Sequence, residues 1–262
     1  MPTPRVGLAA GTGGLTPDDD DDGELIVDFG DGRSTSALPG ETLRVEPPVG
    51  SAAVDVCFVF DTTGSMSDKI DGLITCLSDF VRDLAVLDLD WRVTAVPFGD
   101  LTVPGDRVVG DVPFEANATS AVRMLATMPR FHGGVNEGES SADAMITALG
   151  KPYRQGAVKI LVLLTDEPAL ESPAASFDLV GARLRSSGTL CFVASPDHPY
   201  FRDWAIRNGG AWYLIGQSME TSRLLALLRG LLKLLPQVAH EVHTLAGGSV
   251  DRYLALGPGP HR

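Results

Sequence analysis

From residue 52 onward, short uninterrupted apolar runs alternate with stretches in which apolar residues recur every three or four positions. The runs 54–60, 91–98, 158–164, 189–194 and 211–215 read as strands, and 107–114 as a weaker edge strand. Ile70, Leu73, Ile74, Leu77, Phe80, Val81 and Leu84 fall on one face of a helix predicted over 69–87. Further helices are expected at 117–128, capped by Asn117 or Thr119, and at 137–149, 174–186, 200–207 and 219–235. Strands that are apolar throughout and alternate with helices imply a doubly wound, mainly parallel, Rossmann-like α/β sheet. Six strands are expected, with helices on both faces.

The flanks behave differently. Residues 1–23 are rich in Gly, Pro and Asp and end in five adjacent carboxylates, Asp18 to Asp22, a solvated acidic lead-in that cannot form a core. Residues 24–50 hold two short strand candidates, 25–29 and 42–45, expected to pack on the main domain at 52–236. The remainder, 237–262, is a C-terminal extension in which the weak alternation over 238–245 suggests one more flanking strand. His240-Glu241-Val242-His243 within it spaces its histidines too closely for the H-E-x-x-H zinc motif.

Charge and composition narrow the function. The net charge is -13, of which the first fifty residues supply -7, and no basic patch with interleaved aromatics exists, which argues against nucleic acid. No uncharged run approaches the roughly 20 residues that cross a bilayer, and Arg229 and Lys233 interrupt the leucine-rich stretch 224–235. Neither membrane insertion nor secretion is expected. Cys57, Cys76 and Cys191 lie in apolar stretches without metal-type spacing, as buried thiols of a reducing compartment would. The cytoplasm is the expected location.

The chemistry concentrates where the first long strand ends. Val54 to Phe60 empties into Asp61-Thr62-Thr63-Gly64-Ser65-Met66-Ser67, one carboxylate and alternating hydroxyls ahead of a helix. A turn at the carboxyl edge of an open α/β sheet is where such folds hold ligands. Hard oxygen donors bearing little charge suit a magnesium-type ion that keeps several waters. The strand 158–164 likewise ends in Thr165-Asp166. In the strand order 3-2-1-4-5-6 these two strands are neighbours at the switch point, so Asp61 and Asp166 would face one crevice. Capping of the following helix by Asp61 explains one polar residue but not the second acidic turn.

Residues 60–66, Phe-Asp-Thr-Thr-Gly-Ser-Met, together with Phe98-Gly99-Asp100, Gly133-Gly134 and the strand ending in Thr165-Asp166, resemble the von Willebrand factor type A (VWA) domain over about 52–236. The resemblance implies a metal-ion-dependent adhesion site (MIDAS). The hydroxyls of Thr63 and Ser65 would coordinate the metal directly, and Asp61 and Asp166 would act through bound waters. Many members have Thr after the glycine pair, where this chain has Val135, which cannot ligate. Glu139, matching the acidic residue of integrin β- and hemicentin-type relatives, is the favoured third-loop ligand, with Asn136 and Glu137 nearby. A solvated first turn of the following helix would also attract Glu there.

The expected function is therefore non-catalytic binding of a protein partner. A Mg2+ ion (or Mn2+ or Ca2+) would accept an Asp or Glu from that partner, in an intracellular adaptor or assembly factor. Family members serve beside AAA+ ATPases or operon-encoded partners. The competing expectation is a haloacid-dehalogenase-like phosphotransferase with Asp61 as nucleophile and Asp166 and Glu167 holding magnesium. Thr63 stands where such enzymes place a second Asp.

Overall fold

The computed structural model describes residues 25–28, 34–37, 53–85, 87, 89–133, 138–216 and 220–256. Its strands are β1 (Leu25–Asp28), β2 (Ser34–Ala37), β3 (Ala53–Asp61), β4 (Asp90–Phe98), β5 (Val158–Leu164), β6 (Thr189–Ser195) and β7 (Trp212–Leu214). The helices are α1 (Ile70–Leu84), α2 (Ala118–Ala126), α3 (Ser141–Leu149), α4 (Phe177–Ser187), α5 (Pro199–Ile206), α6 (Thr221–Ala246) and α7 (Val250–Ala255). The sheet order is β2-β1-β7-β6-β5-β3-β4. The five strands from β7 to β4 are parallel, while β1 joins β7 antiparallel through Asp28 and Trp212.

Burial on both faces explains the continuous apolar runs. Along β3, Val54, Val56, Phe58 and Phe60 enter one core with α1, α2, α6 and α7, while Cys57 and Val59 enter a second with α3, α4 and α5. The three cysteines are buried and free. Among the described residues no helix is long and apolar enough to cross a membrane.

Three expectations are corrected. The parallel sheet has five strands, not six. Segment 107–114 runs along β4 but meets it only in isolated bridges, Phe98 with Val108 and Val93 with Glu115. Pro97 has no N–H to donate to a ladder. Side chains take the segment's carbonyls instead: Thr94 Oγ1 donates to Val112 O at 3.0 Å, and Lys151 Nζ to Gly110 O at 2.9 Å and also to Val112 O.

Segment 238–245 forms no strand. Helix α6 continues through Pro236 because Val238, Ala239, Val242 and Ala246 are buried, and it ends only at Gly247 with φ +61°. Core burial there outweighs the several kcal/mol that an internal proline costs a helix. The helix expected from 137 starts at Ser141, so Glu139 precedes it in extended backbone. The strand candidate 42–45 and the acidic run Asp18 to Asp22 lie outside the described residues.

At the sheet's other end, fully buried Asp55 of β3 accepts hydrogen bonds from Arg92 Nε (3.0 Å) and Nη2 (2.5 Å), and from Arg154 N (2.7 Å) and Nε (2.9 Å). Burial alone would raise its pKa, but the two arginines outweigh this and hold it below the usual carboxylate value. This clamp ties β3 to β4 and to the chain leading into β5.

Candidate metal centre

Register brings the two acidic turns together. Phe60 pairs with Leu164 across β3 and β5, so the next residues, Asp61 and Thr165, emerge side by side. Thr165 Oγ1 donates to Asp61 Oδ2 at 3.0 Å. The other carboxylate oxygen, Asp61 Oδ1, accepts from Thr63 N at 2.9 Å and Thr63 Oγ1 at 2.6 Å. Thr63 Oγ1 lies 3.2 Å from Ser65 Oγ, which donates to Asp166 Oδ1 at 2.9 Å. One chain of oxygens thus runs from Asp61 to Asp166, joining residues 105 positions apart in sequence.

That chain is one proton short. Each hydroxyl carries a single hydrogen. If Thr63 donates to Asp61 and Ser65 to Asp166, the 3.2 Å contact between the two hydroxyls sets lone pair against lone pair. A proton on Asp61 would repair the count, since Asp61 could then donate to Thr63 and Thr63 to Ser65. Burial pushes the Asp61 pKa up to about 7; the hydrogen bonds from Thr63 and Thr165 oppose this, and the charge of Asp166 adds to it. A cation at the same place would satisfy the lone pairs without that proton.

A third loop closes the crevice. Phe131 N donates to Thr62 O at 2.9 Å and Gly64 N to His132 O at 3.2 Å, laying residues 131–132 beside the first turn. Gly133, at φ +78°, must be glycine. A Cβ there would stand 2.9 Å from both Glu139 Oε1 and Thr63 Cβ. The Glu139 carboxylate and Thr63 therefore flank one point. Glu139 is 4% exposed, which removes the reading of a solvated helix turn. Its backbone is tied to the Asp166 loop, Glu139 N donating to Pro168 O and Leu170 N to Glu139 O, both at 2.8 Å.

All five expected site residues, Asp61, Thr63, Ser65, Glu139 and Asp166, thus lie on three adjoining loops. Val135, Asn136 and Glu137 lie outside the described residues. Among the described residues no trio of His, Cys, Asp and Glu side chains converges as a metal cluster. What converges is a mixture of hydroxyls and carboxylates, a set of hard oxygen donors suited to a magnesium-type cation.

Two further residues shape the site without a signal in the sequence. Asp106 accepts from His132 N at 3.1 Å, Gly133 N at 2.9 Å and Asp100 N at 3.3 Å, and so holds the third loop in place. It stands in a Pro-Gly-Asp turn that looks like any surface turn. Lys69 carries a buried ammonium 3.5 Å from Asp166 Oδ2. In the helical pattern it passes for a solvated residue at a helix start.

The fold and the site define an open α/β module with a polar crevice at the switch point of its sheet. The family model for the von Willebrand factor type A domain matches residues 55–200, more than half of the chain. The chain belongs to that family, whose domains are protein-interaction modules. Among solved structures it is similar to proximal thread matrix protein 1 from the mussel byssus, with 14% identity, a TM-score of 0.52, and 70% of this chain and 47% of that chain covered. A second crystal form gives 15% identity, a TM-score of 0.53 and coverages of 70% and 46%. A third structure, with a zinc-occupied MIDAS motif, gives 14%, 0.51, 70% and 46%. This chain therefore spans less than half the length of those chains. No curated protein matches it in sequence.

The phosphotransferase reading is not favoured. A nucleophilic carboxylate needs an oxygen open to the phosphorus, and Asp61 is fully buried with both oxygens engaged by Thr63 and Thr165.

Proposed function

We propose that the crevice is a MIDAS-type site, and that the loaded domain binds a protein partner through an Asp or Glu side chain without catalysing a reaction. The observation that carries this is the proton-deficient chain of oxygens from Asp61 to Asp166. Among the described residues no Lys or Arg side chain bonds Asp61, and a buried carboxylate beside facing hydroxyl lone pairs is costly to keep unless a proton or a further positive charge joins it.

Thr63 and Ser65 would supply neutral hydroxyl ligands. Asp61, Asp166 and Glu139 would supply charge at the first, second and third loops. A bound divalent cation would act as a Lewis acid for an incoming carboxylate, a charge-assisted contact strengthened by exclusion of water. The protein's part is to hold the donors rigidly: Thr165 and Thr63 fix Asp61, Asp106 fixes the third loop, and the backbone of Glu139 fixes the second acidic loop. With oxygen donors alone, magnesium, manganese or calcium suits the site better than a metal that prefers sulfur and nitrogen. An intracellular adaptor or assembly role, beside an AAA+ ATPase or another operon-encoded partner, accords with three free, buried cysteines.

The test is thermal unfolding of the full chain with and without Mg2+ or Mn2+, followed by capture of partners in the metal and elution with chelator. A cation at 100 times its Kd stabilises by about 2.7 kcal/mol, a rise of roughly 5–10 °C for a domain of this size. Ser65→Ala should shrink the rise. No rise with millimolar cation, or partners retained in excess chelator, would remove the proposal.

A further inference from the structure

A positive charge is already built into the crevice. The Lys69 side chain is 4% exposed, as is rare for lysine, and its Nζ lies 3.2 Å from Ser65 O and 3.5 Å from Asp166 Oδ2. Its remaining partner, Asp68 Oδ1 at 3.4 Å, belongs to a side chain that is 69% exposed. Backbone bonds hold Lys69 in place: its N–H donates to Met66 O and its carbonyl accepts from Leu73 N, each at 2.9 Å. Among the described residues no other Lys or Arg side chain is hydrogen-bonded to Asp61, Thr63, Ser65 or Asp166. An ammonium withdrawn from water in this way persists only if it is paired, and its one buried charged partner is a carboxylate of the candidate metal centre.

We propose that Lys69 is a resident counter-cation that weakens cation binding at this centre and makes it reversible. This rests on the metal-site reading above and goes beyond it by assigning a role to a residue outside the ligand set. In the metal-free protein the ammonium neutralises part of the charge of Asp166 and keeps the crevice closed without an ion. An arriving divalent cation meets a site whose attraction is already partly spent on Lys69, and it must sit in the field of a fixed positive charge. The field of the same ammonium also eases the approach of an acidic partner to the loaded centre.

The sign of a single substitution decides the matter. Lys69→Met keeps the aliphatic stem and removes the charge. Its Mn2+ dissociation constant, measured by calorimetry on the full chain, should be at least tenfold lower than that of the unaltered protein, while its melting temperature in chelator should fall. A purely structural role for Lys69 would lower the melting temperature and leave the metal constant unchanged or raise it, and that result would overturn the inference. Lys69→Gln, carried through the same comparison, stands in should the methionine variant not fold. If the unaltered protein binds no Mn2+, the metal-site reading fails along with this one; if it binds and neither variant tightens it, only the role of Lys69 fails.

Discussion

Replacing Asp61 by Asn should stabilise the metal-free protein at alkaline pH, although Asp61 is a central donor of the site. In the folded protein the Asp61 carboxyl is pushed from 3.8 to about 7, with burial the largest cause. The folded state therefore holds this proton more tightly than the unfolded chain does. The resulting contribution to stability is complete below the unfolded value and is lost as pH rises through about 7. At about pH 8 without cation the fold must carry a buried ionised carboxylate, a penalty of at most about 4 kcal/mol.

Asn removes that charge with little loss of hydrogen bonding. Its carbonyl can accept from Thr63 as Oδ1 does now, and its amide can donate to Thr165 Oγ1, whose own proton has Glu167 O within 3.3 Å. At roughly 2–4 °C per kcal/mol, Asp61→Asn in chelator should melt several degrees above the unaltered protein at about pH 8. The gap should narrow as pH falls and close only below about pH 3.8, where the carboxyl is protonated in the unfolded chain as well. Saturating Mg2+ should reverse the ranking at alkaline pH by raising only the unaltered protein. A variant less stable than the unaltered protein in chelator at about pH 8, or a difference that does not change with pH, would refute the argument from burial.

Two further outcomes are expected. Asp55→Ala should destabilise by about 3 kcal/mol by leaving two guanidinium groups without their buried partner. Because the pKa of Asp55 is depressed in the fold, its contribution is present at neutral pH and lost as pH falls below the ordinary carboxylate range, so denaturant titrations of the two proteins should converge in acid. Gly133→Ala places a Cβ 2.9 Å from Glu139 Oε1 and from Thr63 Cβ at a positive φ. It should cost about 1–2 kcal/mol and blunt the thermal response to Mg2+. Gly105→Ala, with φ +98° and nothing within 4 Å of its Cβ, should cost a similar amount and leave the Mg2+ response intact, which separates backbone strain from damage to the site.

The α/β alternation, the segments that form the five parallel strands (with a sixth wrongly added at 107–114) and the two acidic turns were legible in the sequence because each depends on local pattern. A strand buried on both faces must be apolar throughout, and an amphipathic helix must repeat near every 3.6 residues. Asn117 illustrates the local rule: its side chain accepts from Ser120 N at 3.1 Å, the cap expected from an Asn at that place. Adjacency of Asp61 and Asp166 was also foreseeable, since parallel topology puts all strand ends on one edge and the doubly wound order makes these two strands neighbours at the switch point.

Other features depended on partners that no local pattern contains. Pro236 looks like a helix end, but the groove beneath α6 buries the residues beyond it, and core burial overrides propensity. Segment 107–114 has the composition of an edge strand, yet Pro97 and the side chains of Thr94 and Lys151 divert its backbone from a ladder. Asp55 is an ordinary carboxylate inside an apolar run until Arg92 and Arg154 converge on it from other elements. Lys69 and Asp106 acquire their places in the same way. Sequence thus determined the five parallel strands and most helices, and placed the oxygen donors at the ends of two of those strands, while it misassigned 107–114 and 238–245. Tertiary structure decided which charges are buried together, because the free energy of a buried charge is set by neighbours brought from elsewhere in the chain.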